Sequence, residues 1–381
     1  MKSFRDEFLI PEGPHGEPSL YFAGHSLGLQ PRRARELVNA ELDDWARFGV
    51  EGHFAAKSPW VGYHELLTGP TARLVGALPH EVVVMNTLTV NLHLLMVSFY
   101  RPRKGKHRIL IEKGAFPSDQ YAVASQARFH GFPDAVLESD EPLRDIDDSV
   151  ALVLVGNANY LTGRALDMGA IVEKGHAHGC VVGFDLAHGA GNLLLDLHRT
   201  GPDFAAWCNY KYLNAGPGGL GGIFIHERHA GAELPRFEGW WGHDKPSRFR
   251  MGPSFQPIHG AEAWQLSNPP ILQLAALRAS MELFDRATMP ALRKLGDELT
   301  SHLERRLRGL GFVEILTPPE RGSMLTVRVS GDAAGLVQKL HARGAVVDHR
   351  PPDIVRITPA PLYNTREEID RLADLIGELH A

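Results

Sequence analysis

Apolar and polar positions follow two different periods along the first two thirds of the chain, and together they predict helices interleaved with buried strands. Helical spacing of the apolar positions predicts helices over three stretches: 32–48, 87–100 and 168–178. Short continuous apolar runs predict buried strands at 108–111, 150–155, 180–185 and 222–226. Strands that alternate with helices indicate an α/β fold with a mostly parallel sheet flanked by helices.

The pattern changes after about residue 270. One long helix is predicted from Ile271 to about Leu310. Shorter strands and helices are predicted after it: 313–316, 324–329, 333–342, 346–347 and 353–357. The spacing of Thr365 and Glu368 is typical of a capping box, and predicts a final helix. We expect a large domain over 51–270, a smaller α+β C-terminal domain over 271–381, and an N-terminal segment, 1–50, that belongs partly to the small domain.

Composition narrows the class of protein. The 381 residues are 44% apolar and 22% charged, as in ordinary globular proteins, and the net charge of −5 does not point to nucleic acid or a membrane surface. Two cysteines imply no disulfide framework and fit a reducing compartment. The N-terminus has no apolar core of a secretory signal, and no apolar run approaches the length that spans a bilayer. These features predict a cytoplasmic protein.

Lys211 stands in an unusual setting. It lies in a short loop followed by a glycine-rich run, 215–222, while the predicted strand 180–185 ends in Asp185, with His188 three residues further on. A pyridoxal phosphate enzyme needs a lysine amine to bind the cofactor covalently and a carboxylate to keep the pyridine nitrogen protonated. A surface lysine in a glycine loop is the alternative, but Asp185 at a strand's carboxyl end favours a cofactor site.

Other residues near predicted strand ends suit the rest of such a cofactor. The backbone N–H groups of Leu88 and Thr89 open the helix 87–100, where an anion such as a phosphate is favoured, and Tyr210 offers a hydroxyl. Phe116 can stack on the ring and Asp119 can orient it. A plain N-cap threonine and an ordinary proline turn are the alternatives.

Arg356 and the histidines raise two more questions. Arg356 lies in an apolar stretch, so it needs an anionic partner, either a substrate carboxylate or a structural ion pair. His176 and His178 are two apart on a predicted helix and point to different faces, so their spacing does not match a zinc site and we expect no metal.

Seven segments carry a resemblance to the kynureninase family, a member of the type I (aspartate aminotransferase) fold class of pyridoxal phosphate enzymes. They are Tyr21–Gln30, Met85–Met96, Phe116–Asp119, Gly183–His188, Trp207–Gly222, Gly239–His243 and Ser267–Leu272. The likeness covers nearly the whole chain. It implies hydrolysis of L-kynurenine or its 3-hydroxy form to anthranilate or 3-hydroxyanthranilate plus L-alanine. The sequence leaves open whether the product feeds NAD biosynthesis, tryptophan catabolism or secondary metabolism.

The resemblance also implies a role for each matching residue. Those around the cofactor are Lys211 as the covalent anchor, Asp185 at the pyridine nitrogen, His188 beside the ring, Phe116 and Asp119 flanking it, and Leu88, Thr89 and Tyr210 at the phosphate. Trp240 and Asn268 are expected to reach in from the second subunit of a homodimer. The substrate residues are Arg356 for the α-carboxylate, and Ser26, His53, Trp241 and Asn268 around the aromatic end.

The chain departs from the family pattern at three positions. Gly156 stands where a serine or threonine is expected, and His25 where an asparagine is expected. Trp241 is bulkier than the expected phenylalanine, which tightens the aromatic pocket, whereas His53 and Asn268 can both bond a 3-hydroxyl. The preference between the two substrates therefore stays open.

The sequence leaves two alternative hypotheses open. The first is another type I enzyme. A cysteine desulfurase would need a mobile cysteine, whereas Cys180 and Cys208 lie in apolar segments. An aminotransferase would instead act with 2-oxo acids. A non-catalytic protein that keeps the fold is the alternative from a different class, and the presence of Lys211, Asp185 and Tyr210 argues against it.

Overall fold

A computed structural model describes residues 4–380 of the chain. The strands are β1 (Phe8–Leu9), β2 (Leu20–Tyr21), β3 (Gln30–Pro31), β4 (Val82–Met85), β5 (Arg108–Glu112), β6 (Val136–Ser139), β7 (Val150–Gly156), β8 (Val181–Asp185), β9 (Phe204–Cys208), β10 (Gly221–Ile225), β11 (Val313–Ile315), β12 (Leu325–Val329), β13 (Ala345–Val346), β14 (Asp348–Arg350) and β15 (Ile354–Ile357). The helices are α1 (Arg32–Phe48), α2 (Gly52–Ala55), α3 (Glu65–Val75), α4 (Leu88–Phe99), α5 (Pro117–Phe129), α6 (Pro142–Asp145), α7 (Met168–Ala177), α8 (Leu197–Thr200), α9 (Ile271–Ala287), α10 (Met289–Arg308), α11 (Ala333–Ala342) and α12 (Arg366–His380).

A seven-stranded sheet forms the centre of the large domain, in the order β4-β10-β9-β8-β7-β5-β6. The five strands from β9 to β6 run parallel, and β10 runs antiparallel to both of its neighbours. The carboxyl ends of β5, β7, β8 and β9 therefore meet at one edge, where ligands bind in sheets of this kind.

Both faces of this sheet are buried. Successive side chains of a strand point to opposite faces, so each strand supplies apolar side chains to both. In β7, Val153 and Val155 belong to one apolar core and Leu152 and Leu154 to the other. Helices cover each face, and the strands accordingly read as continuous apolar runs.

The smaller domain is built on an antiparallel sheet in the order β11-β12-β15-β14. Its core includes two residues from the start of the chain, Leu20 and Phe22, packed with side chains of α10, α11 and α12. The strand β2 also pairs in parallel with β13. Leu20 and Phe22 thus share a core with C-terminal helices, while the assignment of 1–50 partly to the small domain and the boundaries at 50 and 270 stay predictions.

Most of the predicted elements are confirmed, including α1, whose bounds match the prediction, and the capping box, in which Thr365 and Glu368 bond each other's backbone N–H. The single helix predicted from Ile271 to about Leu310 is wrong. The helix is interrupted at Thr288, whose φ is 63°, and Pro290 follows in the first turn of α10. Proline lacks the N–H that a continuous helix would need there. No helix within residues 4–380 is both long and apolar enough to cross a membrane.

Candidate active site

A cavity of about 140 Å³ opens at the carboxyl edge of the large sheet. Its walls come from the ends of β5, β7, β8 and β9 and from the first turns of α4 and α5. The lining residues are Thr87, Leu88, Thr89, Glu112, Ala115, Phe116, Ser118, Asp119, Gly156, Ala158, Asn159, Tyr160, Asp185, Ala187, His188, Tyr210 and Lys211. The eight residues that the sequence assigns to the cofactor within one chain all lie in this list.

Lys211 projects into the cavity from the loop between β9 and β10. Its Nζ lies 3.4 Å from Nε2 of His188, and 5.7 Å from the ring centre of Phe116. Burial, and then the positive charge of Lys211, lower the pKa of His188 well below its usual value. A neutral His188 can accept a hydrogen bond from the lysine amine through Nε2, while its Nδ1 lies 3.4 Å from the hydroxyl of Tyr212.

Two carboxylates share the inner end of the cavity. Asp185 is the last residue of β8, as predicted, and its Oδ1 accepts a hydrogen bond from the backbone N–H of Ala187. Burial, and then the nearby charge of Asp185, raise the pKa of Asp119 well above its usual value. Oδ1 of Asp119 is buried and has no hydrogen-bond partner within residues 4–380. Oδ1 of Asp119 is therefore open to a donor that the described residues do not supply, such as a ring hydroxyl or a protonated ring nitrogen.

The opposite end of the cavity is electropositive because it is the start of α4. Thr87 occupies the N-cap position, but its side chain makes no capping hydrogen bond. The first N–H groups of a helix have no partner within the helix, so those of Leu88 and Thr89 can bind an anion. The Thr89 hydroxyl lies 3.2 Å from the hydroxyl of Ser118. Burial, with a smaller contribution from Cys208, raises the pKa of Tyr210, whose hydroxyl therefore stays protonated and can donate.

Phe116 stands over the cavity and is 42% exposed. Its ring meets that of Tyr160 edge to face, with centres 5.2 Å apart. Phe116 is also the N-cap of α5 and Pro117 its first residue, so the proline begins a helix and no side chain caps that helix start.

These residues fit pyridoxal phosphate. Its aldehyde requires an amine, and its pyridine nitrogen requires a carboxylate acceptor. Its ring face requires a side chain that stacks on it, and its phosphate requires donors such as a free helix N-terminus. Gly156 lies opposite Asp185 in the β7–β8 pairing, and a Cβ there would come no nearer than 3.4 Å to another heavy atom. Lack of space therefore does not explain why this position is glycine.

Arg356 meets one of the two partners that its sequence context left open, a structural ion pair. Its side chain is 3% exposed, and its Nε donates to Oδ2 of Asp348 at 2.6 Å. Its Nη1 donates to the carbonyl of Tyr160, a residue of the cavity wall, at 2.6 Å. A structural ion pair is therefore present, and it holds the guanidinium next to the cavity.

The residues expected at the aromatic end of the substrate lie elsewhere in a single chain. His53, Trp240, Trp241 and Asn268 line a separate cavity of about 230 Å³, which shares no lining residue with the one around Lys211. Ser26 is exposed in the turn that follows β2. Within one chain, His53, Trp240, Trp241 and Asn268 therefore do not line the same cavity as Lys211.

Sequence reasoning missed several neighbours of the site. Tyr160 and Asn159 line the cavity just beyond the end of β7, a position that the strand-end rule could have indicated. Asp348 had no such signal, because it meets Arg356 only through the pairing of β14 with β15.

The two cysteines, Cys180 and Cys208, are free and buried. Burial raises the pKa of both thiols. Neither thiol is on an exposed loop, as a desulfurase mechanism would require.

Comparisons with known proteins agree with this geometry. A family model described as the kynureninase C-terminal domain matches residues 292–376. Kynureninase from Myxococcus xanthus is 58% identical and covers 100% of this chain and 94% of its own length. Kynureninase from Koribacter versatilis is 55% identical over 95% of this chain and 91% of its own length.

Solved structures share the fold at lower identity. A C-DES mutant with glycine covalently linked to its pyridoxal phosphate cofactor has a TM-score of 0.84 and is 21% identical, covering 98% of this chain and 99% of its own. The cysteine desulfurase CsdA from Escherichia coli has a TM-score of 0.82 at 18% identity, covering 99% and 97%. These likenesses establish the type I fold.

Proposed function

Because the chain belongs to the kynureninase family, we propose that the cavity around Lys211 is where it binds pyridoxal phosphate and hydrolyses the Cβ–Cγ bond of L-kynurenine or 3-hydroxy-L-kynurenine. The enzyme is a pyridoxal phosphate-dependent hydrolase of carbon–carbon bonds. Water is consumed, and anthranilate or 3-hydroxyanthranilate leaves with L-alanine. The observation that carries the proposal is the placement of the Lys211 amine at one end of a cavity that also holds the Asp119–Asp185 pair and the uncapped start of α4.

Different residues of the cavity hold different parts of the cofactor. Lys211 binds it covalently, Asp185 holds the pyridine nitrogen protonated, and Asp119 and His188 flank the ring under Phe116. Leu88, Thr89 and Tyr210 bind the phosphate. The bound cofactor withdraws electrons from the substrate carbon that carries the amine.

Two side chains move protons. The amine of Lys211, once displaced by the substrate amine, is placed to carry a proton to and from the substrate Cα. The protonated hydroxyl of Tyr210 is placed to donate a proton to the side-chain ketone oxygen as water adds, and to take one back as the Cβ–Cγ bond breaks. The raised pKa of Tyr210 keeps its hydroxyl protonated, so that it has a proton to donate.

We propose that Arg356 binds the substrate α-carboxylate, since its guanidinium is buried beside the cavity. The planar guanidinium offers parallel donors that match the two oxygens of a carboxylate.

A homodimer completes the site in this proposal. The cavity of His53, Trp240, Trp241 and Asn268 lies apart from Lys211 in one chain, so the partner subunit's copy would supply it. Exposed apolar side chains line this cavity at the surface, including Phe54 at 63% and Val50 at 76% exposure. Such a patch is typical of a protein interface.

The aromatic pocket decides between the two substrates. His53 and Asn268 can both hydrogen-bond a 3-hydroxyl, and a site built to do so penalises a substrate that lacks it. Trp241 is 1% exposed and tightens the same cavity. We propose that the enzyme accepts both substrates.

We further propose that the enzyme acts in tryptophan breakdown and in the cytoplasm. The two buried thiols would stay reduced in that compartment.

The test is kcat/KM on L-kynurenine and 3-hydroxy-L-kynurenine, measured side by side with added cofactor by release of the aromatic acid. We expect turnover of both. A strong preference for the 3-hydroxy form would mean that His53 and Asn268 dominate the pocket, and a preference for L-kynurenine that Trp241 does. Turnover of neither, with cofactor bound normally, would overturn the substrate assignment.

A further inference from the structure

The carboxylate that faces Arg356 sets the direction in which its guanidinium points. Asp348 on β14 and Arg356 on β15 are directly opposite each other in an antiparallel pairing. Oδ2 of Asp348 accepts from Nε of Arg356 at 2.6 Å, and also from Nε of Arg350 at 2.9 Å. On the other side, Nη1 of Arg356 donates to the carbonyl of Tyr160.

These contacts use one edge of the guanidinium and leave another free. The Nε donor is taken by Asp348, and one donor of Nη1 is taken by Tyr160. Nη2 has no acceptor in the part of the chain from residue 4 to 380, and Nη1 keeps a second donor. Nη2 and the second donor of Nη1 are therefore available to a carboxylate.

A buried histidine, His25, lies next to this pair but does not compete with Arg356 and Arg350 for the carboxylate of Asp348. His25 is 1% exposed, its Nδ1 lies 2.8 Å from the hydroxyl of Thr358, and its Nε2 is 3.9 Å from Oδ2 of Asp348. Burial lowers the pKa of His25 to about 4, although the nearby Asp348 works in the opposite direction. His25 is therefore neutral near pH 7, and it does not draw Asp348 away from Arg356.

We propose that Asp348 is the positioning residue of the substrate carboxylate site: it fixes the Nε edge of Arg356 so that the Nη1–Nη2 edge faces the substrate. The inference rests on the proposed role of Arg356. It requires an acceptor at the place of Asp348 Oδ2, and it does not require the negative charge. The three substitutions Asp348→Ala, Asp348→Asn and Asp348→Glu separate these two requirements.

The experiment measures the affinity of the holoenzyme for the product L-alanine and for L-alaninamide, which has the same amine but no carboxylate, by the absorbance change of the bound cofactor. Asp348→Ala is expected to weaken L-alanine binding roughly 10-fold and to leave L-alaninamide within about 2-fold. Asp348→Asn keeps the acceptor and is expected to recover most of the affinity. Asp348→Glu keeps the charge but moves the acceptor, so it is expected to resemble Asp348→Ala.

Asp353→Asn is the matched control, because Asp353 pairs with Arg328 at the surface of the same sheet, away from Arg356. An unchanged L-alanine affinity in Asp348→Ala would overturn the inference. So would an equal loss for both ligands, or a Glu variant that binds L-alanine better than the Asn variant. If Asp348→Ala does not fold, the comparison of Asn with Glu decides.

A parallel Arg356→Gln variant separates this inference from the proposed function. If Arg356→Gln weakens L-alanine and Asp348→Ala does not, the positioning role is wrong and the carboxylate site stands. If Arg356→Gln leaves L-alanine binding unchanged, the carboxylate site itself is wrong, and the inference is overturned with it.

Discussion

The backbone N–H of Gly28 donates a hydrogen bond of 2.9 Å to the carbonyl of Tyr210, the residue before Lys211. This contact joins the N-terminal segment, which pairs with the small domain through β2, to the loop that carries Lys211. The approach is so close that a Cβ on Gly28 would overlap the carbonyl oxygen of Lys211 and the side chain of Asn214. Only glycine fits, and the position of Lys211 therefore depends on a residue far from it in sequence.

Gly28→Ala is expected to shift the lysine loop. Overpacking of this kind costs about 1–3 kcal/mol of unfolding free energy, and misplacement of a catalytic group by about 1 Å costs on the order of 100-fold in turnover. Urea unfolding and kcat check the two effects. Gly231→Ala is the control, since a Cβ at Gly231 meets no atom within 4 Å; equal behaviour of the two variants would contradict the packing argument.

Lys211→Ala is expected to lose covalent attachment of the cofactor and at least about 1000-fold in kcat, because the same amine also carries the proton at Cα. The visible spectrum and the rate of aromatic acid release are the measurements. Lys294→Ala, at an exposed position of α10, should match the unsubstituted enzyme. Substantial residual turnover in Lys211→Ala would rule out the assigned anchor.

Tyr210→Phe is expected to retain the cofactor, because Lys211, Asp185 and the start of α4 remain. Its kcat should fall by about 100-fold to 10,000-fold, the usual contribution of a positioned acid or base. Tyr121→Phe serves as the control, since Tyr121 is 72% exposed. If Tyr210→Phe turns over at the normal rate, another group moves this proton.

Asn268 lies apart from Lys211 in one chain, which gives a test of the homodimer by mixing inactive variants. Lys211→Ala and Asn268→Ala should each be poorly active alone. After the subunits exchange, about a quarter of all sites would contain only native residues if Asn268 reaches the partner's Lys211, as the symmetry of a twofold dimer allows. Activity should therefore rise on mixing, whereas no rise after confirmed exchange would place both residues in one chain's site.

Stability should fall in acid partly through Glu262. Burial alone would raise the pKa of this carboxyl, but His64 and Lys245 outweigh it and lower the pKa from 4.5 to about 2. A pKa that is lower in the folded state stabilises the fold above pH 4.5, and this contribution is lost as the pH falls toward 2. It is on the order of 3 kcal/mol.

Glu262→Gln should accordingly be less stable than the unsubstituted chain at pH 7, and the gap should close by about pH 2. Urea unfolding over this pH range measures it. Glu233→Gln, at an exposed position, is the control and should show no such convergence.

Local patterns predicted much of the fold because they depend on neighbours in the chain. Helix α1 and the strand ending at Asp185 could be read from periodicity and from an apolar run. The break at Thr288 shows the limit: a continuous apolar pattern on both sides hid the effect of Pro290 on the backbone.

Local sequence was enough to predict a cofactor site, because the lysine loop, the strand-terminal aspartate and the start of α4 are each short segments with a recognisable pattern. Tertiary structure alone decided how those groups meet. The contact of Gly28 with the lysine loop and the hydrogen bond from Arg356 to the carbonyl of Tyr160 both join segments distant in sequence. Their distances depend on strand order and domain packing, which no local pattern encodes.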